Sequence, residues 1–313
     1  MANEAHNAYV AILAGGTGTR MGSTDAPKQF LMLGAAPIIV HTIQKFCAFN
    51  GFDKVVVLCP DGWINQTRDI VGRYLPEYAE LVEVTAGGAV RNDTVMNAIR
   101  FIEENYEVDG STVLVTHDAV RPFVSHRIIQ ENIDLARNTG ACDTVVPATD
   151  TIVESSDGQM VTAIPDRRML YQGQTPQSFN LAKLKELIEG LTPEEAGQLT
   201  DACKIFVLRN EPVALVRGDV ANMKITYPQD LRVASALLGD WPCLIASTGW
   251  LPRASSSPCS CRLPALARRS WCVRPTFPSA TPTCATTWGI AVLRCLPRSC
   301  PWRLSTRGLA RWS

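Results

Sequence analysis

The sequence predicts an α/β fold: a mostly parallel sheet flanked by helices, with a β-arm protruding from it. Three observations carry this. Short apolar runs alternate with segments of helical periodicity through residue 146, glycine pairs follow two of those runs, and the alternation breaks between Pro147 and Pro176.

Tyr9–Leu13 is apolar and ends in Ala14-Gly15-Gly16, as a buried parallel strand entering a glycine loop does. Pro37–Phe46 follows with Ile38, Ile39, Ile43 and Phe46 on one helical face. Asp53–Cys59 reads as a second buried strand, and Trp63–Tyr74 as the helix after it. Leu81–Thr85 is a third strand; Gly87-Gly88 turns the chain into a helix from about Asn92 to Tyr106. Ser111–Thr116 is a fourth strand, His126–Asn138 a helix, and Asp143–Val146 begins a further strand. Strands and helices alternating at this spacing are βαβ units with right-handed crossovers.

Between 147 and 176 the segments Thr151–Val153, Met160–Ile164 and Leu170–Gln172 are short, β-like and separated by turn residues, which predicts an arm leaving the sheet. Helix is expected again at Leu181–Glu189, strand at Val213–Val216, a late strand carrying Asn222-Met223-Lys224, and a last helix at Pro228–Leu238.

The 313 residues are 46% hydrophobic and 19% charged, as in globular proteins, and the formal net charge of zero sums two unlike parts. Residues 1–240 carry 20 basic and 30 acidic side chains, a net of −10, whereas 241–313 carry ten Arg and no Lys, Asp or Glu. An acidic body argues against nucleic acid as a partner, since neutralising many phosphates requires a basic surface. Nothing resembles a secretory signal and no run reaches 18 apolar residues, so no membrane is expected, and the widely spaced Cys47, Cys59, Cys142 and Cys203 fit a reducing cytoplasm.

The 73 residues from Trp241 hold six of seven Trp and seven of eleven Cys, and lack Asn, Gln, His, Tyr and Met as well as Lys, Asp and Glu. This composition predicts an atypical tail, out of frame or otherwise in error, rather than a folded domain. The competing reading is a basic, Cys-rich interaction tail. The folded domain is therefore expected to span residues 1–240.

The strongest chemical signal is the loop Leu13-Ala14-Gly15-Gly16-Thr17-Gly18-Thr19-Arg20-Met21-Gly22, followed by Pro27-Lys28-Gln29-Phe30. Glycines after a strand let backbone N–H groups approach phosphate oxygens, and Arg20 and Lys28 add two cations from the same loop. The spacing is neither GxxxxGK[ST] nor GxGxxG, which disfavours a dinucleotide-binding oxidoreductase. Asp118 stands at the carboxyl end of the fourth strand, where open α/β sheets bind ligands; Arg121, one turn on, could pair with it. No Ser or Cys occupies a nucleophile motif, and His6, His41, His117 and His126 are scattered, so covalent catalysis is not expected.

LAGGTGTRMG…PKQF resembles the signature of cytidylyltransferases that make CDP-polyols. The resemblance continues through GGAVRNDTV (87–95), THDAVRPF (116–123), DRRMLYQGQTPQSF (166–179), LTDACK (199–204) and NMKIT (222–226), and so covers roughly residues 8–238. Two families share these motifs, which act on ribitol 5-phosphate and on 2-C-methylerythritol 4-phosphate. HDAVRPF, YQGQTPQSF and LTDACK are closer to the ribitol family, whose product CDP-ribitol serves teichoic acid or capsule assembly.

The resemblance implies a Rossmann-like fold and Mg²⁺ as cofactor. It implies that Leu13, Ala14, Gly15, Gly16, Gly87, Gly88, Arg91, Asn92, Asp93 and Thr94 hold CTP. Arg20, Lys28, Arg167 and Lys224 would be the catalytic cations, with Lys224 the lysine that holds the acceptor phosphate. Asp118, Thr151 and Thr175 would contact the polyol phosphate, with Asp118 also a possible metal ligand. It further implies a homodimer in which the β-arm carries Arg167 into the neighbouring subunit's site. The alternative of another class is a nucleotide-binding regulator without catalysis.

Overall fold

In the computed structural model the described residues are 7–16, 18–21, 26–198 and 201–239. They fall within one compact unit, Met1–Arg253; the tail from 241 and the readings made on it lie outside the described residues.

The chain begins with strand β1 (Ala8–Leu13), a short hairpin of β2 (Met32–Leu33) and β3 (Ala36–Pro37), and helix α1 (Ile38–Phe49). Next come β4 (Lys54–Cys59), α2 (Ile64–Tyr74), β5 (Val82–Ala86), α3 (Arg91–Asn105) and β6 (Val113–Asp118). They are followed by α4 (His126–Thr139), β7 (Ala141–Pro147), β8 (Tyr171–Asn180) and α5 (Leu181–Glu189). The chain then runs through α6 (Pro193–Gln198), α7 (Ala202–Leu208), β9 (Ala214–Arg217) and α8 (Pro228–Gly239).

Seven strands form one sheet in the order β5-β4-β1-β6-β8-β7-β9. Every pairing is parallel except those of β8, which runs antiparallel to both β6 and β7. The expected Rossmann-like, mostly parallel sheet is therefore present. Leu13 lies level with Leu58 on one side and Asp118 on the other, so β1, β4 and β6 end together. The chain moves outward from β1 to β4 and β5, then returns across β1 to β6. That reversal opens a crevice at the carboxyl ends of the strands.

Strand alternation sorts the core into two layers. Ala8, Val10 and Ile12 pack with Ile43 and Phe46 of α1, Val71 of α2 and Ile133 of α4. Tyr9 and Ala11 pack on the other face with Ile99 and Ile102 of α3, Leu184 of α5 and Phe206 of α7. Helix ends follow local chemistry: Ser125 Oγ caps α4 at Ile128 N (3.4 Å), and Gly140, at φ +85°, ends it.

Three expectations need correction. Thr151–Val153 and Met160–Ile164 do not form strands; a single antiparallel bridge, Glu154 to Ala163, joins the two sides of the arm. Met160, Val161 and Ile164 are exposed, so no second layer stabilises extended pairing there. Of Leu170–Gln172, Tyr171 and Gln172 lie not in the arm but at the start of β8, which shortens the arm to about residues 148–170. Gly173 and Pro176 hid that strand; the register between β7 and β8 slips between Asp143 and Val145, where an irregularity admits the proline. Asn222-Met223-Lys224 is a loop outside any strand. It is held by side chains rather than by a β-ladder.

Candidate active site

The loops that leave β1, β5 and β6 converge on one cleft of about 360 Å³, lined by Leu13–Gly16, Gly18, Arg20, Lys28, Gly88, Arg91, Thr94, Asp118 and Lys224 among others. Each loop is shaped by a few contacts. Ala14 N donates to Leu58 O (2.8 Å) and Gln29 Nε2 to Ala14 O, which seats the first glycine loop over the sheet. Gly18 adopts φ +76°, and a Cβ there would come within 3.0 Å of Lys28 N. Only glycine lets the loop fold back onto Lys28.

The second loop is pinned by Gly87 N to Cys59 O (2.8 Å) and Gly88 N to Thr94 Oγ1 (3.0 Å). A Cβ at Gly88 would lie 2.2 Å from that of Asp93, so its backbone rests directly on the first turn of α3. Asp93 Oδ2 in turn accepts from Val90 N (3.3 Å). Gly87, Asn92 and Asp93 thus build the loop from behind, whereas Gly88, Ala89, Val90, Arg91 and Thr94 face the cleft.

Asp118 is the hub of the third loop. Its carboxylate meets Arg91 Nη1 at 2.9 Å, Lys224 Nζ at 3.0 Å and Arg121 Nε at 3.2 Å. Burial pushes its pKa up, but Arg91, Lys224 and Arg121 more than reverse this and hold the carboxyl well below the usual range. The i,i+3 spacing within HDAVRPF had marked Arg121 as a partner; Arg91 and Lys224, distant in sequence, are added only by the fold. Among the described residues Asp118 is the one carboxylate lining the cleft, and no group of three His, Cys, Asp or Glu side chains is arranged to hold a metal.

Lys28 is buried, and its Nζ donates to Ile225 O at 3.1 Å. Burial, reinforced by Lys224 and Arg20, lowers its pKa to about 8. Arg20 is exposed, with its guanidinium 5.9 Å from the centre of the Tyr227 ring. Arg20, Lys28, Arg91 and Lys224 therefore surround a cleft holding one carboxylate, an arrangement suited to a polyanion.

Besides Gly87, Asn92 and Asp93, three more expected residues stand apart from the cleft. Thr175 is buried beneath it: its Oγ1 accepts from Asp118 N (3.1 Å) and lies 3.1 Å from His117 Nδ1. His117 Nε2 lies 3.1 Å from Arg121 O, which can only accept. The ring proton therefore sits on Nε2, and Nδ1 accepts from the Thr175 hydroxyl. Burial drives the pKa of His117 down to about 4, so the imidazole is neutral and acts as a strut. Arg167 and Thr151 lie exposed on the arm, Arg167 bonded to Thr149 O (2.7 Å), and neither lines the cleft of its own chain. The four body cysteines are buried, and burial pushes the thiols of Cys47 and Cys142 up to about 12. No helix among the described residues is long and apolar enough to cross a membrane.

A family model described as IspD, 2-C-methyl-D-erythritol 4-phosphate cytidylyltransferase, matches residues 8–240. The chain is similar to the 4-diphosphocytidyl-2C-methyl-D-erythritol synthase of Anaerococcus prevotii DSM 20548 at 23% identity. That match covers 74% of this chain and 96% of the other, with a TM-score of 0.62. It is similar to 2-C-methyl-D-erythritol 4-phosphate cytidylyltransferase of Francisella tularensis at 26% identity, over 74% of this chain and 99% of that one (TM-score 0.61). The Thermus thermophilus enzyme of the same description matches at 27% identity, over 74% and 97% of the two chains (TM-score 0.56).

Proposed function

Since this chain belongs to the IspD family of cytidylyltransferases, which are nucleotidyltransferases, we propose that its cleft holds CTP and passes the cytidylyl group to a polyol phosphate. The observation that carries the reading is the ring of Arg20, Lys28, Arg91 and Lys224 around two glycine loops. The Nε of Arg91, a residue that lines the cleft, is buried without a partner, and a bound nucleotide offers it an acceptor. An oxygen of the acceptor phosphate attacks the α-phosphorus of CTP in line. A new P–O bond forms, the bond to the β-phosphate breaks, and pyrophosphate leaves with the electron pair. The attacking group is already anionic, so no general base is needed. The barrier is repulsion between anions, and the four cations lower it.

Mg²⁺ enters in this proposal as part of the substrate, on the CTP phosphates. Magnesium sites commonly combine one or two carboxylates with substrate phosphates, and among the described residues lining the cleft Asp118 is the carboxylate. Bound there, the ion neutralises charge on the triphosphate. A regulator without catalysis is disfavoured by the family match.

For the acceptor we propose ribitol 5-phosphate, on the strings HDAVRPF, YQGQTPQSF and LTDACK; CDP-ribitol is then the product, for teichoic acid or capsule assembly. The comparisons favour the second reading, 2-C-methylerythritol 4-phosphate, since the family description and the solved relatives carry that name. Pyrophosphate release with CTP and each acceptor decides: preference for methylerythritol phosphate by tenfold or more in kcat/KM replaces the ribitol reading, and release with neither defeats both.

Arg167 and Thr151 are proposed to act from the arm of a second subunit in a cytoplasmic homodimer. The exposed Met160, Val161, Ile164 and Met169 give that arm an apolar surface to bury. Arg167→Met and Lys224→Ala proteins are each expected to keep only about one per cent of wild-type turnover, low but measurable. Mixed and re-equilibrated one to one, they should recover about a quarter of wild-type activity, because half the dimers hold one intact site of two. Failure to recover activity, with heterodimers present by mass, places Arg167 elsewhere.

Two further outcomes are expected. Lys28 must be protonated to grip phosphate, and its pKa in the free protein is about 8. kcat/KM for CTP should therefore hold below that pH and fall as pH rises through it; a flat profile from pH 7 to 9.5 removes Lys28 from phosphate binding. The stability effect has the opposite sign. The depressed pKa costs stability below pH 8, and the cost fades as pH rises toward the unfolded value near 10.4. Removing residues 241–313 is expected to leave turnover unchanged, and an unfolded or inactive truncate assigns the tail a structural role.

A further inference from the structure

We propose that Gln174 and Asn222 are a positioning pair that sets Lys224 against Asp118 on the acceptor side of the cleft, an inference that rests on the role proposed above for Lys224. Neither residue lines the cleft, so neither touches what binds there. Both are buried, Asn222 completely.

The segment from Gly218 to Thr226 joins β9 to α8 and has no strand to pair with beyond Gly218 N to Val145 O (2.8 Å). Its course is set by three anchors. At the first, Gln174 Nε2 donates to Asp219 O (2.8 Å) while Gln174 Oε1 accepts from Asp219 N (3.4 Å), so one carboxamide imitates a β-ladder rung. At the second, Asn222 Nδ2 donates to Gln174 Oε1 (3.2 Å) and to Thr175 O (2.8 Å), and Asn222 O accepts from Arg121 Nη1 (2.9 Å). At the third, Ile225 N donates to Val120 O (2.9 Å) and Ile225 O accepts from Lys28 Nζ (3.1 Å). Lys224 lies between the second and third anchors.

Gln174 serves two of the three anchors, and the segment is moulded to it: a Cβ on Gly218 would fall 2.5 Å from Gln174 Oε1. The next residue of β8 fixes the other half of the ion pair, because Thr175 Oγ1 holds the backbone N of Asp118. Two consecutive strand residues thus determine where Lys224 and Asp118 stand relative to each other. Asn222 Oδ1 is buried without a partner. A residue present only for stability is normally satisfied at such a site, so the unpaired oxygen speaks for a geometric demand on the amide.

The test uses Gln174→Leu, which keeps the bulk and removes all three hydrogen bonds. The rate of Lys224 acylation by an amine reagent, read by peptide mass spectrometry, is expected to rise several-fold. KM for the polyol phosphate should rise roughly tenfold, as loss of one charge-assisted hydrogen bond to the phosphate produces, with the CTP Kd within about twofold of wild type. Gln174→Glu, which retains the acceptor for Asn222 Nδ2, should recover part of the loss. Gln174→Leu added to Lys224→Ala should cost little beyond Lys224→Ala alone, since both act through one group. Unchanged Lys224 reactivity, additive losses, or CTP and acceptor affinity falling together overturn the proposal. If Gln174→Leu does not fold, Asn222→Asp takes the same measurements. The acylation rate needs no acceptor, so it still decides the positioning if turnover with both polyol phosphates fails and the acceptor reading falls.

Discussion

Lys28→Ala is expected to lower kcat by on the order of 10²-fold or more, as loss of a single preorganised charge donor does in other enzymes. Three features make Lys28 the costliest of the cations to lose. It is buried, so its charge acts through a poorly screened medium, whereas the exposed Arg20 is open to solvent. Its Nζ waits at a single carbonyl, Ile225 O, a neutral partner that a phosphate oxygen outcompetes. Arg91 and Lys224 are instead tied to a carboxylate and give up more to reach a phosphate. Single-turnover release of pyrophosphate reads the effect. Turnover within about threefold of wild type, in a variant whose thermal midpoint is unchanged, removes Lys28 from the chemical step.

The glycine loops, Arg20, Lys28 and the alternation of strands and helices were legible in the sequence because each is a local signal. A strand with apolar periodicity announces itself, and so does a glycine cluster after it. What stayed hidden is what depends on distant partners. Gly173 and Pro176 break the pattern of β8, yet the strand lies inside the main sheet between β6 and β7. The Arg91–Asp118–Lys224 contacts join residues 27 and 106 positions apart in the chain, for which no spacing rule exists. Its motif implies a ligand contact for Thr175, whereas its hydroxyl is occupied with His117 and the backbone of Asp118. Motif membership marks that a residue is near the site. It does not tell whether the side chain faces the ligand or braces the residue that does.

That distinction bears most on Asp118, where Asp118→Asn tests whether the carboxylate serves the ligand or the cations. The substitution keeps the shape and removes the charge facing Arg91, Arg121 and Lys224. Deleting one member of a buried ion network costs about 3–5 kcal/mol. The partly exposed Lys224 is screened, so most of that cost comes from Arg121 and Arg91. For a domain of this size, each kcal/mol moves the thermal midpoint by roughly 2–4 °C, which predicts a drop of about 6–20 °C. The sign with pH follows from the depressed pKa of Asp118. Its contribution is present above the unfolded value near 3.9 and is lost only as pH falls toward the folded one, so the gap between wild type and variant should be full at pH 5–8 and close in acid. Function should split. Removing the carboxylate leaves the cleft one unit more positive, so CTP binds at least as tightly. Lys224 loses the partner that holds it in place, and turnover falls by on the order of tenfold or more. Equal thermal midpoints would mean that the carboxylate does not hold the cations. A raised Mg²⁺ requirement with little loss of stability would identify Asp118 as a ligand of the ion that arrives with CTP.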